Sequence, residues 1–320
     1  MYAHKLNRGD EIRIIAPAKS FKSSFTHAMR SLAVKRLEDL GLRVSFGKYV
    51  DESNDFETTT VEHRLEDLHD AFADKNVKGI LAVAGGASSN QLLKYIDYDL
   101  IRSNPKIFCG LSDITSIANA IHAKTDLVTY SGPQFVVFGA TCGVDYTTEY
   151  FRKCFFDEES FDVEAAESFC DHRFDAEEMR NEGFWIMNEG EARGKVLGGN
   201  LLTFKYLQGT EFAPDMRDSI LFLEDNDKES YRAFENQLQS LINQSGFLGV
   251  RGIVIGRFQK GSNMTKELLT QIIRTKRELA DMPIIANVDF GHTMPMITIP
   301  LGGEVEMKVG AESVLRIVKH

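Results

Sequence analysis

Three residues at turns have the types that acyl-transfer chemistry needs, and the first is a serine. The segment 108–116, FCGLSDITS, reads as an apolar strand that leads through Ser112 directly into a helix. A serine at such a turn projects its hydroxyl away from the sheet, beside the unpaired N–H groups that begin the helix. Ser112 is therefore a candidate nucleophile beside a candidate oxyanion site. The alternative is a plain helix cap made by Ser112 or Asp113, and the strict G-x-S-x-G pattern is absent because Ile114 replaces the second glycine.

A carboxylate and a histidine follow two later predicted strands. Glu224 ends the apolar run SILFLE, and His292 follows Gly291 in a loop after the predicted strand 283–288. A carboxylate can orient an imidazole and stabilise its cation, and a loop histidine is free to act as a general base. The alternative for Glu224 is a solvent-exposed turn without a catalytic role, of the kind that Asp and Asn commonly form.

A glycine pair gives a second turn of the same kind. Gly85 and Gly86 follow a continuous apolar strand and open a helix-like segment, so the backbone there can approach a ligand closely; a simple tight turn is the alternative. This turn and the Ser112 turn both follow strands of the predicted parallel sheet, so both lie at the edge formed by the carboxyl ends of the strands. Ligands of parallel sheets bind at that edge. The sequence has no H-E-x-x-H and no Cys/His pairs at zinc spacing, so it predicts neither a metal site nor a cofactor.

Alternating strand-like and helix-like segments must position these residues. In the first half they predict a doubly wound, mainly parallel α/β sheet of the flavodoxin-like type. The predicted strands are 11–17, 42–49, 77–84, 106–109 and 127–131, and the predicted helices are 25–40, 61–74, 90–96 and 114–122.

The periodicity fails between about 138 and 182, which predicts a connection with a helix or two. After it, the pattern predicts a second α/β domain with a mixed, partly antiparallel sheet. Its strands are 184–187, 219–224, 252–255 and 283–288, its helices are 231–243 and 266–280, and strands and turns alternate over 296–318. We therefore predict an N-terminal domain 1–165 with Ser112, a linker 166–182, and a C-terminal domain 183–320 with Glu224 and His292.

Composition narrows the class of protein. The 320 residues carry a net charge of −10, which argues against a nucleic-acid partner. The sequence has no apolar run of about eighteen residues and no secretory signal, so we expect no membrane partner and a cytoplasmic location. We also expect the four cysteines to stay reduced; they are Cys109, Cys142, Cys154 and Cys170.

Several motifs in one order carry a resemblance over nearly the whole length. They are GDEI with AP at 9–17, GG with SNQLL at 85–93, DYD at 97–99, GLSDIT at 110–115, G with GGNL at 194–201, LED at 223–225 and FGH at 290–292. With this set the chain resembles the LD-carboxypeptidase family of serine peptidases, which includes the microcin C self-immunity proteins.

The resemblance implies a role for each reactive residue. Ser112 matches the nucleophile, Glu224 and His292 match its catalytic partners, and the backbone amides of Gly86 and Asp113 match the oxyanion donors. It also implies two α/β domains with the substrate between them, and a homodimer.

Two side chains point to the microcin-immunity branch. Trp185, the single tryptophan, matches one that stacks on the nucleobase of a peptidyl nucleotide, and Lys228 matches a lysine directed at the substrate. Packing between domains and a solvated turn are the respective alternatives. We add Gly85 and Asn200 as expected substrate contacts, while Leu111 departs from the tyrosine of many relatives.

The predicted function is thus a serine carboxypeptidase-type hydrolase with a Ser-His-Glu triad. Its expected partner is a small peptide or peptidyl-nucleotide substrate resembling microcin C. An LD-carboxypeptidase of murein tetrapeptide recycling is the first alternative, and a non-catalytic small-molecule binding protein is the second. A nucleotide-dependent oxidoreductase is disfavoured because Gly85 and Gly86 lack the third glycine of the dinucleotide fingerprint.

Overall fold

A computed structural model describes residues 1–23, 25–175 and 177–320. Strands and helices alternate through the first half of the chain, close to the predicted segments. The strands are β1 (Glu11–Ile15), β2 (Arg43–Phe46), β3 (Val77–Ala82), β4 (Ile107–Gly110) and β5 (Thr129–Ser131), and the helices are α1 (His27–Asp39), α2 (Val61–Ala73), α3 (Tyr98–Ser103), α4 (Ile114–Thr125) and α5 (Val144–Phe155).

The second half is richer in strands. They are β6 (Phe161–Asp162), β7 (Ser168–Phe169), β8 (Met179–Arg180), β9 (Trp185–Asn188), β10 (Gly190–Asn200), β11 (Ser219–Glu224), β12 (Gly252–Gly256), β13 (Ile284–Val288), β14 (Ile299–Leu301), β15 (Glu304–Val309) and β16 (Val314–Lys319). The helices are α6 (Leu201–Lys205), α7 (Tyr231–Ile242) and α8 (Lys266–Arg274).

The first sheet has six strands in the order β14-β5-β4-β3-β1-β2. Strands β1 to β5 are parallel and follow the flavodoxin-like order, while β14 pairs antiparallel with β5. Side chains of β3 and β4 belong to two hydrophobic clusters, one shared with α2 and α4 and the other with α1 and α5. Burial in both clusters explains the continuous apolar character of these strands.

The second sheet has eight strands in the order β6-β16-β15-β10-β11-β12-β13-β9. Strands β10 to β13 are parallel, and the flanking strands are antiparallel. The predicted fold class, a doubly wound sheet followed by a mixed α/β sheet, is confirmed. Strand β14 joins the first sheet although it lies near residue 300, and β6 joins the second sheet although it lies before residue 165. Each sheet therefore takes a strand from across the predicted domain boundary. The domain boundaries at 165 and 182 stay predictions.

Helix boundaries differ from prediction where a polar side chain begins a new element. Asp97 caps α3 by accepting a hydrogen bond from the Leu100 N–H (2.8 Å). The chain must leave any preceding helix before that cap, so the predicted helix 90–96 is wrong and only a 3₁₀ turn, Ser89–Leu92, forms there. Similarly, the predicted helix 266–280 ends at Arg274, and buried Lys276 turns out of it to contact Glu235 Oε1 (2.7 Å).

Strand β10 is the longest element that the sequence did not predict. Its segment, GEARGKVLGGN, contains four glycines and three charged residues, which are typical of loops rather than strands. Neighbours decide the outcome, because β10 pairs with β15 on one side and β11 on the other. The predicted linker 166–182 likewise contains an antiparallel strand pair, β7–β8, which the pattern did not predict.

Cysteine pairing corrects another expectation. Cys142 and Cys170 form a disulfide with a Cα–Cα distance of 6.4 Å, whereas Cys109 and Cys154 are free and buried. The expectation that all four are reduced is therefore wrong for this pair. It rested on the absence of an export signal, which carries no information about which thiols the fold brings together. No helix among the described residues has both the length and the apolar character needed to span a bilayer.

Candidate active site

Ser112 lies at the turn between β4 and α4, in a left-handed backbone conformation with a φ of 62°. A non-glycine residue adopts this conformation at a cost, and such strain is concentrated at functional sites. The neighbouring turn leaves room for the Ser112 side chain only because residue 85 is glycine. A Cβ at Gly85 would come 2.8 Å from the Ser112 Cβ and 3.1 Å from its Oγ.

His292 joins the serine to the glutamate. Its Nε2 is 3.0 Å from Ser112 Oγ, and its Nδ1 is 2.6 Å from Glu224 Oε2. An ionised carboxylate can only accept a hydrogen bond, so we assign the ring hydrogen to Nδ1. Nε2 is then free to accept a hydrogen bond from the serine hydroxyl. The three residues that the sequence singled out are thus brought into one hydrogen-bonded chain.

The carboxylate of this chain is completely buried. Glu224 ends β11 and is 0% exposed, and its Oε1 has no hydrogen-bond partner among the described residues. Gly291, with a φ of 105°, lets the loop carrying His292 close over it, since a Cβ there would lie 2.7 Å from Glu224 Oε2. Burial keeps water away from the contact between the imidazole and the carboxylate and therefore strengthens it.

Helix α4 holds the two sheets together beside the site. Its Thr115 Oγ1 accepts the Asn200 N–H (3.1 Å), and Asn119 Nδ2 donates to the Gly198 carbonyl (2.8 Å). Asn200 pairs in register with Glu224 on neighbouring strands. The helix that begins after Ser112 is therefore anchored to the strand adjacent to the one that carries the glutamate.

Asp113 links the two turns instead of capping its own helix. Its Oδ2 accepts the N–H groups of Ser88 (2.9 Å) and Ser89 (2.8 Å), and no side-chain cap of α4 is made within the described part of the chain. Burial raises the pKa of Asp113, although these amide hydrogen bonds act in the opposite direction. Neither the Gly86 N–H nor the Asp113 N–H has a partner among the described residues, so both are available to a ligand.

Arg64 supports this turn and was missed by the sequence analysis. Its guanidinium is buried and donates to the Ser88 carbonyl (3.2 Å), the Ser88 hydroxyl (3.1 Å) and Gln91 Oε1 (2.7 Å). Burial lowers the pKa of Arg64, and the nearby Asp113 charge opposes that change. A single arginine on an amphipathic helix is usually solvated, so only the fold reveals this role.

Asp225 lies directly after Glu224 and is also buried. Its Oδ1 accepts hydrogen bonds from Asn200 Nδ2 (3.2 Å) and the Asn226 N–H (3.0 Å). Burial, together with the negative charge of Glu224, raises the pKa of Asp225 to about 7. The strand therefore ends in two adjacent carboxyl groups, one facing His292 and the other facing Asn200.

A cavity of about 630 Å³ opens beside Ser112 and His292. Three of the four expected substrate contacts line it, namely Gly85, Asn200 and Lys228. Asn200 uses its Oδ1 to cap α6 at Thr203, and Lys228 is exposed, with no ion pair among the described residues.

Trp185 is the expected contact that the structure does not bring to the cavity. It lies in β9, paired with Ala286 of β13, and packs half-buried against the hydrophobic core. Two aromatic side chains that the sequence analysis did not single out line the cavity instead: Phe56 is 85% exposed and Phe174 is 46% exposed. Among the described residues, no group of three His, Cys, Asp or Glu side chains is arranged to hold a metal ion.

Comparison with known families decides the class of protein. A model of the LD-carboxypeptidase N-terminal domain matches residues 12–132, and a model of the C-terminal domain of the same family matches residues 193–307. The chain belongs to the LD-carboxypeptidase family. Members are serine peptidases, so the prediction of a serine peptidase is confirmed over that of a non-catalytic binding protein.

Individual relatives agree with the LD-carboxypeptidase assignment. The chain is 45% identical to the putative carboxypeptidase YocD of Bacillus subtilis, with all of both chains covered. It is 31% identical to a probable murein peptide carboxypeptidase of the same organism, covering 96% of this chain and 92% of the relative.

Solved structures of LD-carboxypeptidase relatives share the fold. An MccF-like protein from Bacillus anthracis str. Ames superposes with a TM-score of 0.98 at 44% identity, covering 100% of both chains. A structure of MccF in complex with glutamyl sulfamoyl guanosine superposes with a TM-score of 0.89 at 27% identity, covering 99% of this chain and 98% of that one.

Proposed function

We propose that this protein is a serine hydrolase that cleaves an amide-type bond in a peptidyl or aminoacyl nucleotide, with Ser112 as nucleophile. The observation that carries the proposal is the His292 imidazole, which lies between the Ser112 hydroxyl (3.0 Å) and the buried Glu224 carboxylate (2.6 Å). This is the arrangement that activates a serine, because the base is within reach of the hydroxyl and is itself oriented by a carboxylate.

In the proposed reaction, His292 Nε2 takes the Ser112 proton as Oγ attacks the scissile carbonyl carbon. Glu224 stabilises the imidazolium, which then gives its proton to the leaving nitrogen as the carbon–nitrogen bond breaks. His292 then takes a proton from water as the water oxygen attacks the acyl-serine ester, and returns it to Ser112 Oγ as the ester bond breaks and the carboxylate product leaves.

The developing oxyanion is assigned to the Gly86 and Asp113 N–H groups. Support comes from the lack of a partner for either amide among the described residues and from the hydrogen bonds by which Asp113 joins the two turns. Loss of one such donor costs roughly 10²- to 10³-fold in turnover in other acyl-transfer enzymes.

Two observations favour a nucleotide conjugate as the substrate. The related MccF structure holds glutamyl sulfamoyl guanosine, which is an aminoacyl nucleoside analogue. The cavity also presents the exposed rings of Phe56 and Phe174, whose faces suit a nucleobase, together with the expected contacts Asn200 and Lys228. We keep the homodimer that the family resemblance implies, and the cytoplasmic location predicted from the sequence, as part of the same proposal.

Hydrolysis of a murein tetrapeptide at its L–D junction is the second candidate. It is favoured by the 31% identity to a probable murein peptide carboxypeptidase over nearly the whole chain. Both candidates use the same nucleophile and differ only in what occupies the cavity.

Hydrolysis by the purified protein tests the proposal. We expect release of glutamate from glutamyl sulfamoyl adenosine, and a decrease of roughly 10⁴- to 10⁶-fold in kcat for Ser112→Ala with an unchanged thermal midpoint. The matched control is Ser31→Ala, an exposed helix residue whose removal should leave kcat unchanged.

Each part of the proposal has its own contrary result. Ser112→Ala with most of its activity retained would exclude Ser112 as the nucleophile. Cleavage of an L–D tetrapeptide, without action on the sulfamoyl conjugate, would assign the chain to the second candidate.

A further inference from the structure

Arg173 lines the cavity, and its guanidinium has no partner within the described part of the chain. From residues 1–23, 25–175 and 177–320, no hydrogen bond, ion pair or aromatic ring engages this side chain, although it is half-buried. Burial alone lowers the pKa of Arg173, with no neighbouring charge opposing it. An arginine in this position loses part of its hydration without gaining a counter-charge from the described residues, so an anion that enters the cavity would gain a favourable contact.

The carboxylates around the cavity are already engaged. Asp113 accepts two amide hydrogen bonds, Glu57 pairs with Lys19 (2.9 Å), and Glu229 accepts from Gln237 Nε2 (3.2 Å). The fourth, Asp227, lies 3.8 Å from His172 Nε2. None of these four carboxylates contacts Arg173, so the positive charge of its guanidinium remains available to a ligand that enters the cavity.

The backbone that carries Arg173 is fixed on several sides. Cys170 is bonded to Cys142 and exchanges both backbone hydrogen bonds with Met294 (2.7 and 3.0 Å). The Arg173 carbonyl accepts the Thr141 N–H (3.2 Å), next to the same disulfide.

Asp171 supplies two further anchors: its Oδ1 accepts the Lys260 N–H (2.8 Å), and its carbonyl accepts Gln259 Nε2 (2.9 Å). These hydrogen bonds and the disulfide fix the backbone of residues 170–174 and therefore keep Arg173 at the cavity.

We infer that Arg173 binds an anionic group of the substrate, a phosphate or a carboxylate, through the two-pronged hydrogen bonding of its guanidinium. Arginine suits this role because its planar N–H groups match the oxygens of either anion. The inference deepens the proposed function and rests on it only in taking the cavity as the substrate site.

Binding of small probes tests the inference without any chemistry at Ser112. Two pairs differ only in charge: AMP against adenosine, and N-acetyl-D-alanine against its amide. We expect Arg173→Gln to weaken at least one anionic probe by roughly 10- to 100-fold, as measured by NMR titration, and to leave its neutral partner within about twofold. Loss for AMP alone assigns the anion as a phosphate, and loss for N-acetyl-D-alanine alone assigns it as a carboxylate.

Two further variants control the result. Arg274→Gln removes an exposed arginine outside the cavity and should bind every probe as the wild type does. Arg173→Lys keeps the charge but loses the fork, so it should recover only part of the affinity. If Arg173→Gln does not fold, as judged by thermal unfolding, Arg173→Lys is measured in its place and must still weaken the anionic probe.

The inference is overturned if the wild type binds neither anion, if the variant binds all four probes unchanged, or if charged and neutral probes weaken equally. Because the probes report binding alone, a wild type that bound them but hydrolysed nothing would refute the proposed function and leave the role of Arg173 intact.

Discussion

At the scale of single residues, Asp225 gives the clearest consequence for stability. Its carboxyl is 1% exposed and has a pKa of about 7, whereas an unfolded aspartate titrates near 3.9. Between these values the folded protein binds more protons than the unfolded chain, so its free energy of unfolding falls as pH rises. The decrease begins near pH 4 and is complete just above pH 7.

Asp225→Asn should remove this pH dependence. Relative to the wild type, the variant should gain stability as pH rises from 4 to 7.5, by at most about 4 kcal/mol, and the difference should be small below pH 4. Urea unfolding across this range measures it.

The matched control has the opposite sign. Arg217 lowers the pKa of exposed Asp215 to about 2, so Asp215→Asn should lose a little stability above pH 4, and solvent screening keeps the effect small. A stability difference between Asp225→Asn and the wild type that stays flat with pH would mean that the Asp225 carboxyl titrates normally.

The residues that bond to one another at the site were candidates because each lies at or just after the end of a predicted strand, and the family resemblance then implied their roles. Ser112, Glu224 and His292 have reactive side chains at turns, and turn residues leave a local pattern. Arg64 and Arg173 could not be found in this way. Their roles depend on what surrounds them after folding, and a lone arginine in sequence looks the same whether it is solvated or buried.

At the scale of elements, the disulfide supports residues 170–174. It joins Cys170 to the turn before α5 and so holds Thr141 against the Arg173 carbonyl. Cys142→Ser should lower the free energy of unfolding by about 3 kcal/mol, because the unfolded chain loses the constraint of a closed loop. It should also raise KM more than it lowers kcat, because Arg173 lies in this segment, whereas the contacts of His292 with Ser112 and Glu224 are made by other elements.

Kinetics of the variant and of the reduced wild type measure this effect. Cys109→Ser, which replaces a free buried thiol, is the matched control and should leave KM unchanged. Equal KM values for Cys142→Ser and the wild type would show that the segment is held by its hydrogen bonds alone.

Most elements were predictable within a few residues because their apolar periodicity was strong. The exceptions had local patterns that tertiary contacts overrode. Strand β10 reads as a charged, glycine-rich loop until β11 and β15 flank it, and the turn at Ser89–Leu92 reads as a helix until Asp97 caps the next one.

At the scale of the whole molecule, the two sheets depend on each other. Strand β14 covers the edge of β5 with the fully buried side chains of Ile299 and Leu301. Loss of these two side chains from an apolar environment costs about 3–6 kcal/mol, a large part of the stability of an ordinary domain. The pairing of β5 with β14 was not predictable from the sequence. Hydrophobic periodicity indicates which residues form a strand, but not which distant strand pairs with it.

A fragment of residues 1–165 should therefore fail to unfold cooperatively in urea. Joining residues 294–303 to it through a flexible glycine-serine linker should restore a cooperative transition, because the added strand satisfies the open edge of β5. Identical urea midpoints for the two fragments would mean that the first sheet is stable without β14.

The same exchange of strands has a consequence for how the enzyme is made. A ribosome synthesises Ser112 long before His292, and β14 follows the histidine by only a few residues. A nascent chain that stops before His292 therefore lacks both the proposed base for Ser112 and strand β14, which pairs with β5 in the first sheet. If the proposed triad is correct, such incomplete translation products cannot hydrolyse the substrate, and activity requires the segment that contains His292 and β14.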